Sequence, residues 1–338
     1  MLPRKLLRLT PYFSILLLFW LLNSLWNDEF PVHKSLMFGV LFTMQFDGPA
    51  IGNNLFEYIS FLGTARTIGR RPMLSRKAYN RMSEFFKQCP EMLKGVGSGH
   101  SWYSELAVPS VNFKHECCIF AEPEHNLTTP YNQHFLSIAT TFKYTQSFKY
   151  FSSISREEVL DRLAVDAETR RIAKEELVDP RILNITDHLF CFHTRRGDFV
   201  YSQIHMHSHI NNTVPAVRAV LKQVSAKRVR VALFGSDHSY LYHDIQPRLN
   251  DLDSFIVGYG KEYPPIAEWE FARLYCNTVI LTASASTFGW WMAYVSNATV
   301  YYNEEYEKEL GFRGTLKRED FFLPQWKVLP KSVLSESS

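Results

Sequence analysis

The segment Phe192-His193-Thr194-Arg195-Arg196-Gly197-Asp198 sets two guanidiniums, an imidazole and a carboxylate side by side. It follows the apolar run Leu189–Phe192, which is expected to be a buried strand. In open α/β sheets ligands bind outside the carboxyl ends of the strands, so this position suits a site. Two neighbouring Arg side chains there need an anion or carboxylates to offset their desolvation. A planar guanidinium donates two hydrogen bonds to phosphate oxygens, and a pyrophosphate is the ligand such a pair suits. Gly197 lets the backbone turn away, and Asp198 can fix one guanidinium. The competing explanation is a structural ion-pair cluster. Arg196-Gly197-Asp198 is also a cell-adhesion tripeptide, but that use needs an exposed loop tip, not the end of an apolar strand.

Other groups could do chemistry. Ser286-Thr287-Phe288 opens a helix expected over 287–295, and free N–H groups at a helix N-terminus bind phosphate. Asp251-Leu252-Asp253 mimics a D-x-D metal motif but has no apolar strand before it. His205, His207 and His209 would share one face if extended, a zinc-like arrangement. A solvated loop is the expectation there, and no metal is expected. Trp290 and Trp291 suggest sugar stacking at first sight, but a helix packing its aromatic face into the core is the expectation.

These residues are positioned by alternating strands and helices. Expected strands are Leu36–Phe42, Pro72–Leu74, Leu189–Phe192, Val229–Phe234, Phe255–Val257, Thr278–Thr282 and Val300–Tyr302. Helical spacing covers Leu55, Phe56, Ile59, Leu62 and Ile68, with a stop at Gly69. It also covers a charged stretch over 155–178, then Val217–Val224, 267–275 and 287–295. Such alternation implies parallel α/β units. Residues 90–150 are aromatic and irregular, with no element assigned.

The 338 residues are 46% apolar and 21% charged, with a net charge of +3. These are globular values, with room for two core-forming units and no dense basic patch that would call for nucleic acid. Arg4, Lys5 and Arg8 precede an apolar run, Leu9–Trp26, and Asp28 and Glu29 follow it. At about 1.5 Å per residue the run spans roughly 27 Å of helix, enough for a thin bilayer. The charges favour an N-in, C-out signal-anchor: cytosolic tail 1–8, transmembrane helix 9–26, stem 27–36. A cleaved signal peptide is the rival, but it lacks a small-residue cleavage site. Sequons at Asn126, Asn184, Asn211 and Asn297 agree with a lumenal address; Asn126 and Asn211 are expected in accessible loops. Of five cysteines, Cys89 with Cys117 or Cys118 is the expected disulfide, and Cys191 and Cys276 are expected as buried thiols.

With those motifs in place the chain resembles the α-1,2-fucosyltransferases, glycosyltransferase family 11. His193-Thr-Arg195-Arg196-Gly197-Asp198 matches that family's H-x-R-R-G-D motif. Gly52-Asn53-Asn54-Leu55-Phe56-Glu57-Tyr58 is similar to its G-N-Q-[ML]-F-x-Y turn and helix, with Asn54 in place of Gln. Phe234-Gly-Ser-Asp237 resembles its F-S-D strand end. Cys276 followed by Ser286-Thr287-Phe288-Gly289-Trp290-Trp291-Met-Ala-Tyr294 resembles its C…S-[ST]-F-x-W-W-x-A-[YW] segment, with a longer link before Ser286. Phe321-Phe322-Leu323-Pro324-Gln325-Trp326 resembles its F-x-P-x-W ending.

The resemblance implies a GT-B-like α/β fold of two Rossmann-like domains, here an acceptor-side domain over 37–185 and a GDP-fucose-binding domain over 186–330. It implies inverting, metal-independent transfer of L-fucose from GDP-fucose to a glycan of a glycoprotein or glycolipid, in the Golgi membrane as a single-pass type II protein. Arg195 would contact the donor β-phosphate with Arg196 in support. His193 and Asp237 would lie near the guanosine, and Ser286, Thr287 and Phe288 would border the pyrophosphate. Gly52 and Asn53 complete the donor-side set. Asp198 is a candidate base, though its place beside the Arg pair suits orientation equally well. Acceptor choice is expected within 90–150. A non-catalytic relative that binds nucleotide sugar or glycan, or an adhesive protein of the same fold, is the alternative. If the lumenal assignment holds, a deglycosidase will lower the apparent mass of the protein from its native host; an unchanged mass would count against it.

Overall fold

The computed structural model describes residues 39–330 apart from 44, 47, 49, 100–108, 112, 114–115, 130–131, 133–136, 179–187, 227 and 307–315. The expected tail, anchor and stem, the first residues of the Leu36–Phe42 strand and the sequon Asn184 therefore lie outside the described residues. Among those described, no helix is long and apolar enough to cross a membrane.

Two sheets, every strand pair parallel, come from successive halves of the chain. Strands β1 (Val40–Thr43), β2 (Arg71–Ser75), β3 (Gly97–Gly99) and β4 (Ser137–Thr140) form one in the order β3-β2-β1-β4. The other contains β5 (His188–His193), β6 (Val229–Phe234), β7 (Asp253–Ile256), β8 (Thr278–Leu281), β9 (Thr299–Asn303) and β10 (Lys327–Leu329). Its order is β10-β9-β8-β5-β6-β7. Counted from β5, this is the order 3-2-1-4-5-6 of a dinucleotide-binding sheet, and the strand order reverses between β5 and β8. The first sheet repeats the first four places of that order, with its reversal between β1 and β4.

The longer helices are α1 (Ile51–Thr67), α2 (Arg76–Phe85), α3 (Ile210–Leu221), α4 (Ile266–Tyr275) and α5 (Thr287–Val295). Helix α1 is buried along most of its length and ends at Gly69, whose φ of 64° gives the left-handed C-terminal turn. Ser75 and Ser286 cap α2 and α5 through their hydroxyls. At its far end α5 is capped by Arg156, which donates to the carbonyls of Tyr294, Val295 and Ser296. Trp290 and Trp291 are fully buried against Phe56, Phe151, Tyr294 and Phe321, so they are core aromatics rather than a sugar platform.

Three expectations are corrected. The stretch 155–178 is not one helix but Arg156–Arg162, Ala167–Arg171 and a wide turn Ile172–Glu176. Asp166 breaks it, because its carboxylate accepts the Thr169 N–H at 2.7 Å and so caps a new start. Asn126 and Asn211 sit in helices, Pro123–Leu127 and the first turn of α3, rather than loops, although Asn211 and Asn297 are exposed. The cysteine pairing also differs. Cys191 and Cys276 form a disulfide, because the pairing of β5 with β8 brings two residues 85 apart in sequence to a Cα separation of 5.8 Å. Cys89 is instead a buried thiol 3.6 Å from the Leu163 carbonyl. Replacing both Cys191 and Cys276 by Ala is expected to cost about 2–5 kcal/mol, read as a lower denaturant midpoint. An unchanged midpoint would mean that the bridge does not form.

Candidate active site

The carboxyl ends of β5 and β8 lie side by side where the strand order reverses, the crevice at which α/β sheets bind ligands. The sequence places His193 to Asp198 after β5 and Thr282 to Thr287 after β8, so both candidate segments converge there. The backbone leaving β5 is fixed by a chain of hydroxyls. Arg195 N–H donates to Ser208 Oγ (2.9 Å), which contacts Thr282 Oγ1 (2.7 Å), which donates to the His193 carbonyl (2.8 Å). Ser208 N–H returns a bond to the Arg195 carbonyl at 2.9 Å. Neither Ser208 nor Thr282 stood out in the sequence. The only signal was a polar residue at each end of the ring, one in the His-rich loop and one closing an apolar strand.

The two Arg side chains differ in how they are held. Arg196 Nε donates to Asp237 Oδ2 (3.1 Å) and Nη1 to the Ser208 carbonyl (3.3 Å), and its guanidinium lies 4.1 Å from the Tyr240 ring centre. Asp237 is occupied as well, since its other oxygen accepts the Tyr240 N–H at 3.0 Å. Arg196 and Asp237 thus brace the ends of β5 and β6. Among the described residues Arg195 has one ion-pair partner, Asp198 at 2.8 Å, and rests over the Phe199 ring at 5.5 Å. Asp198 is 66% exposed on its side chain and Arg195 30%, so this pair is open to exchange with an incoming anion. Gly197, at φ 42°, makes the turn that lets Asp198 fold back on Arg195.

His193 is buried beside Phe288, with ring centres 5.6 Å apart, and its Nδ1 lacks a hydrogen-bond partner among the described residues. Burial, reinforced by the Arg195 charge, pushes its imidazole down to about 3, so it is neutral near pH 7. Ser286, Thr287 and Phe288 form the start of α5 beside it, with Gly289 packed against His193. Gly52 and Asn53 reach the same turn from the other half of the chain. Thr287 Oγ1 donates to Asn53 Oδ1 (2.6 Å), and Trp291 Nε1 donates to the Gly52 carbonyl (3.1 Å). A Cβ on Gly52 would lie 2.7 Å from the Thr287 backbone, so only glycine fits. Asn54 points elsewhere. Its amide donates to the Gly48 and Ala50 carbonyls and its oxygen accepts from Arg81, so it holds the turn before α1. The longer link before Ser286 folds into a buried turn, where the Ser284 hydroxyl donates to the Leu281 carbonyl and accepts the Asn303 N–H.

The metal candidates do not assemble. Asp253 begins β7 and Asp251 precedes it, so both lie at the opposite end of the sheet. Asp251 pairs with Arg218, and Asp253 with Arg228 and Arg230. His205 stacks on Phe199, while His207 meets His209 edge-on. Among the described residues no group of three or more His, Cys, Asp or Glu could hold a metal ion.

A parallel sheet with paired guanidiniums at its switch point, beside a helix start, is an arrangement suited to phosphorylated ligands. Comparison gives the class. Residues 125–329 match the family model described as glycosyl transferase family 11, and the chain belongs to that family. It is 27% identical over 315 residues, 85% of this chain and 76% of the relative, to a galactoside 2-alpha-L-fucosyltransferase of Caenorhabditis elegans. A second protein of that name from the same organism is 29% identical over 294 residues, 83% of this chain and 77% of the relative. Among solved structures, fucosyltransferase NodZ from Bradyrhizobium shares 16% identity at a TM-score of 0.47, over 76% of this chain and 94% of that one. That likeness is too slight to bear on the site.

The neutral burial of His193 makes the fold acid-sensitive. An unfolded imidazole protonates near 6.5 and the folded one only near 3. Between those values the unfolded state holds more protons, so the contribution is intact above 6.5 and is lost as pH falls toward 3. Fully developed, the loss is about 3–5 kcal/mol. His193→Gln is expected to flatten the fall in Tm between about pH 7 and about pH 4.5. Parallel slopes for the two proteins would show that His193 is not the group responsible.

Proposed function

We propose that the chain transfers L-fucose from GDP-fucose to a glycan hydroxyl, the 2-hydroxyl of a terminal galactose, with inversion and without a metal. The observation that carries this reading is the pairing at the carboxyl end of β5. Arg196 is locked to Asp237 and the Ser208 carbonyl, whereas Arg195 is held by an exposed carboxylate and the face of Phe199. Membership of family 11 and the names of the two relatives supply the chemistry for that exchangeable cation. The two halves act as acceptor and donor sides of a GT-B arrangement, 37–185 and 186–330, with the cleft between them. A type II Golgi anchor at 9–26 is part of the same proposal.

In this mechanism the acceptor oxygen attacks the fucose anomeric carbon from the face opposite the phosphate, and the bond to the GDP oxygen breaks with its electrons. Charge grows on the β-phosphate, where Arg195 and the free N–H groups at the start of α5 stabilise it. Preorganisation by the Ser208–Thr282 ring means that the backbone at Arg195 need not reorganise as that charge develops. Asp198 releases Arg195 to the phosphate and is the exposed carboxylate nearest it, which makes it the candidate acceptor for the hydroxyl proton. His193, neutral and buried, supports the donor side rather than moving the proton.

Purified protein with labelled GDP-fucose and galactose-terminated glycans tests the reading, with EDTA present and absent. Transfer that survives EDTA is expected. Arg195→Lys keeps the charge but loses two-pronged donation, and should lower transfer by about 10²–10³ while melting like the wild type. A well-folded Arg195→Lys enzyme at the wild-type rate would remove Arg195 from the donor phosphate.

A further inference from the structure

Three cysteines stand outside the β5–β8 bridge. Cys89 is poorly suited to react, because burial pushes its thiol up to about 12 and the thiolate is the reactive form. Cys117 and Cys118 are placed differently. Their sulfurs lie 2.7 Å apart, well inside the ~3.5–4 Å at which non-bonded heavy atoms rest. Along an extended chain successive side chains point to opposite faces and would hold such sulfurs apart. Here a turn closed by Ile119 N–H to the Glu116 carbonyl, at 3.3 Å, brings them together. Cys118 adopts φ 64° at that turn, a left-handed backbone uncommon outside glycine.

The turn is pinned on both sides. Cys118 N–H donates to the Tyr144 carbonyl (3.4 Å), and the Tyr150 hydroxyl donates to the Ile119 carbonyl (3.1 Å). Ala121 N–H donates to the Tyr150 oxygen (2.9 Å), and Phe120 N–H to Asp320 Oδ2 (3.0 Å). Cys117 is exposed and Cys118 buried, with Cys118 Sγ 3.4 Å from Gln146 Oε1. We infer that Cys117 and Cys118 are a modification site, closing on each other as a disulfide between adjacent residues.

The chemistry balances with a protein disulfide of the thiol–disulfide oxidoreductase class as oxidant. The exposed Cys117 loses its proton and attacks one sulfur of that disulfide, expelling the other as a thiolate. Cys118, deprotonated in turn, displaces the oxidant from Cys117. One S–S bond forms in the chain, two thiol protons are released, and the oxidant takes two electrons to become a dithiol. The Cys191–Cys276 bridge indicates a compartment in which such exchange runs. Closure would rigidify a turn that already holds the loop after β4 through the Cys118 N–H, and Tyr144 N–H of that loop is held in turn by the Glu57 carboxylate at 2.9 Å. None of this depends on the sugar donor.

The test is mass spectrometry of the full chain made through a secretory pathway. The protein is unfolded in iodoacetamide without reductant, deglycosylated and cut with trypsin. The peptide 115–143 contains Cys117 and Cys118 and no other cysteine. It is expected without alkyl groups and lighter by two hydrogens than its reduced form. With reduction before alkylation it should gain two alkyl groups. Alkylation of either cysteine without reduction, or linkage of this peptide to the one carrying Cys89, would overturn the proposal. In Cys117→Ser, Cys118 should become alkylatable on unfolding; if it stays blocked, it is bonded elsewhere and the proposal falls.

Discussion

The start of α5 is held from outside its own sheet. Thr287 bonds to Asn53, Trp291 to the Gly52 carbonyl, and the missing side chain at Gly52 lets the backbones of α1 and α5 touch. The far end of the same helix is gripped by Arg156. A helix of nine residues has few internal hydrogen bonds, and its position depends on such outside contacts. Because a short buried turn joins α5 to β8, fixing the helix also fixes where its free N–H groups point relative to Arg195. The same contact joins the two parallel sheets, so the geometry of the crevice and the geometry of the seam are one constraint.

Within that frame the site sorts its charges by exposure. The less exposed pair, Arg196 with Asp237, has further partners in a carbonyl, a backbone N–H and an aromatic face. These contacts help to offset the desolvation that a half-buried ion pair suffers. The exposed pair, Arg195 with Asp198, is cheap to break because water can replace either partner. A cation delivered to a ligand is better kept in the second condition than in the first. His193 adds no charge to this edge, since its burial keeps the ring neutral.

Much of this was legible in the sequence wherever local pattern sufficed. Apolar runs bounded by polar turns located β5, β6 and β8, and α4 and α5 began within a residue of the expected points. The edge at which the candidate segments converge followed from strand ends alone. Other features are set by neighbours distant in sequence. β3 and β4 are short and carry no extended apolar run, so their strand character comes from pairing with β2 and β1. The Cys191–Cys276 bridge required knowing that β5 pairs with β8, and parallel strand order is invisible to periodicity. The break at Asp166 was hidden because a helix-compatible pattern continues on both sides of the cap. Glu57 read as one more residue of an apolar helix, yet its carboxylate receives the N–H groups of Gly48 and Tyr144.

The strand order also sets a timetable for synthesis. β5 is the first strand of its sheet to be made, but its partner β8 lies some 85 residues further along. At ribosomal rates the delay is roughly 5–15 s, long compared with most local folding events. Through that interval Cys191 is in the nascent chain without Cys276, while three cysteines made earlier are already there. Folding of the first sheet ahead of β8 would put Cys89 out of reach inside its own core. The amino-terminal half then acts as a chaperone for the other half's disulfide, withdrawing a competitor before the correct partner arrives.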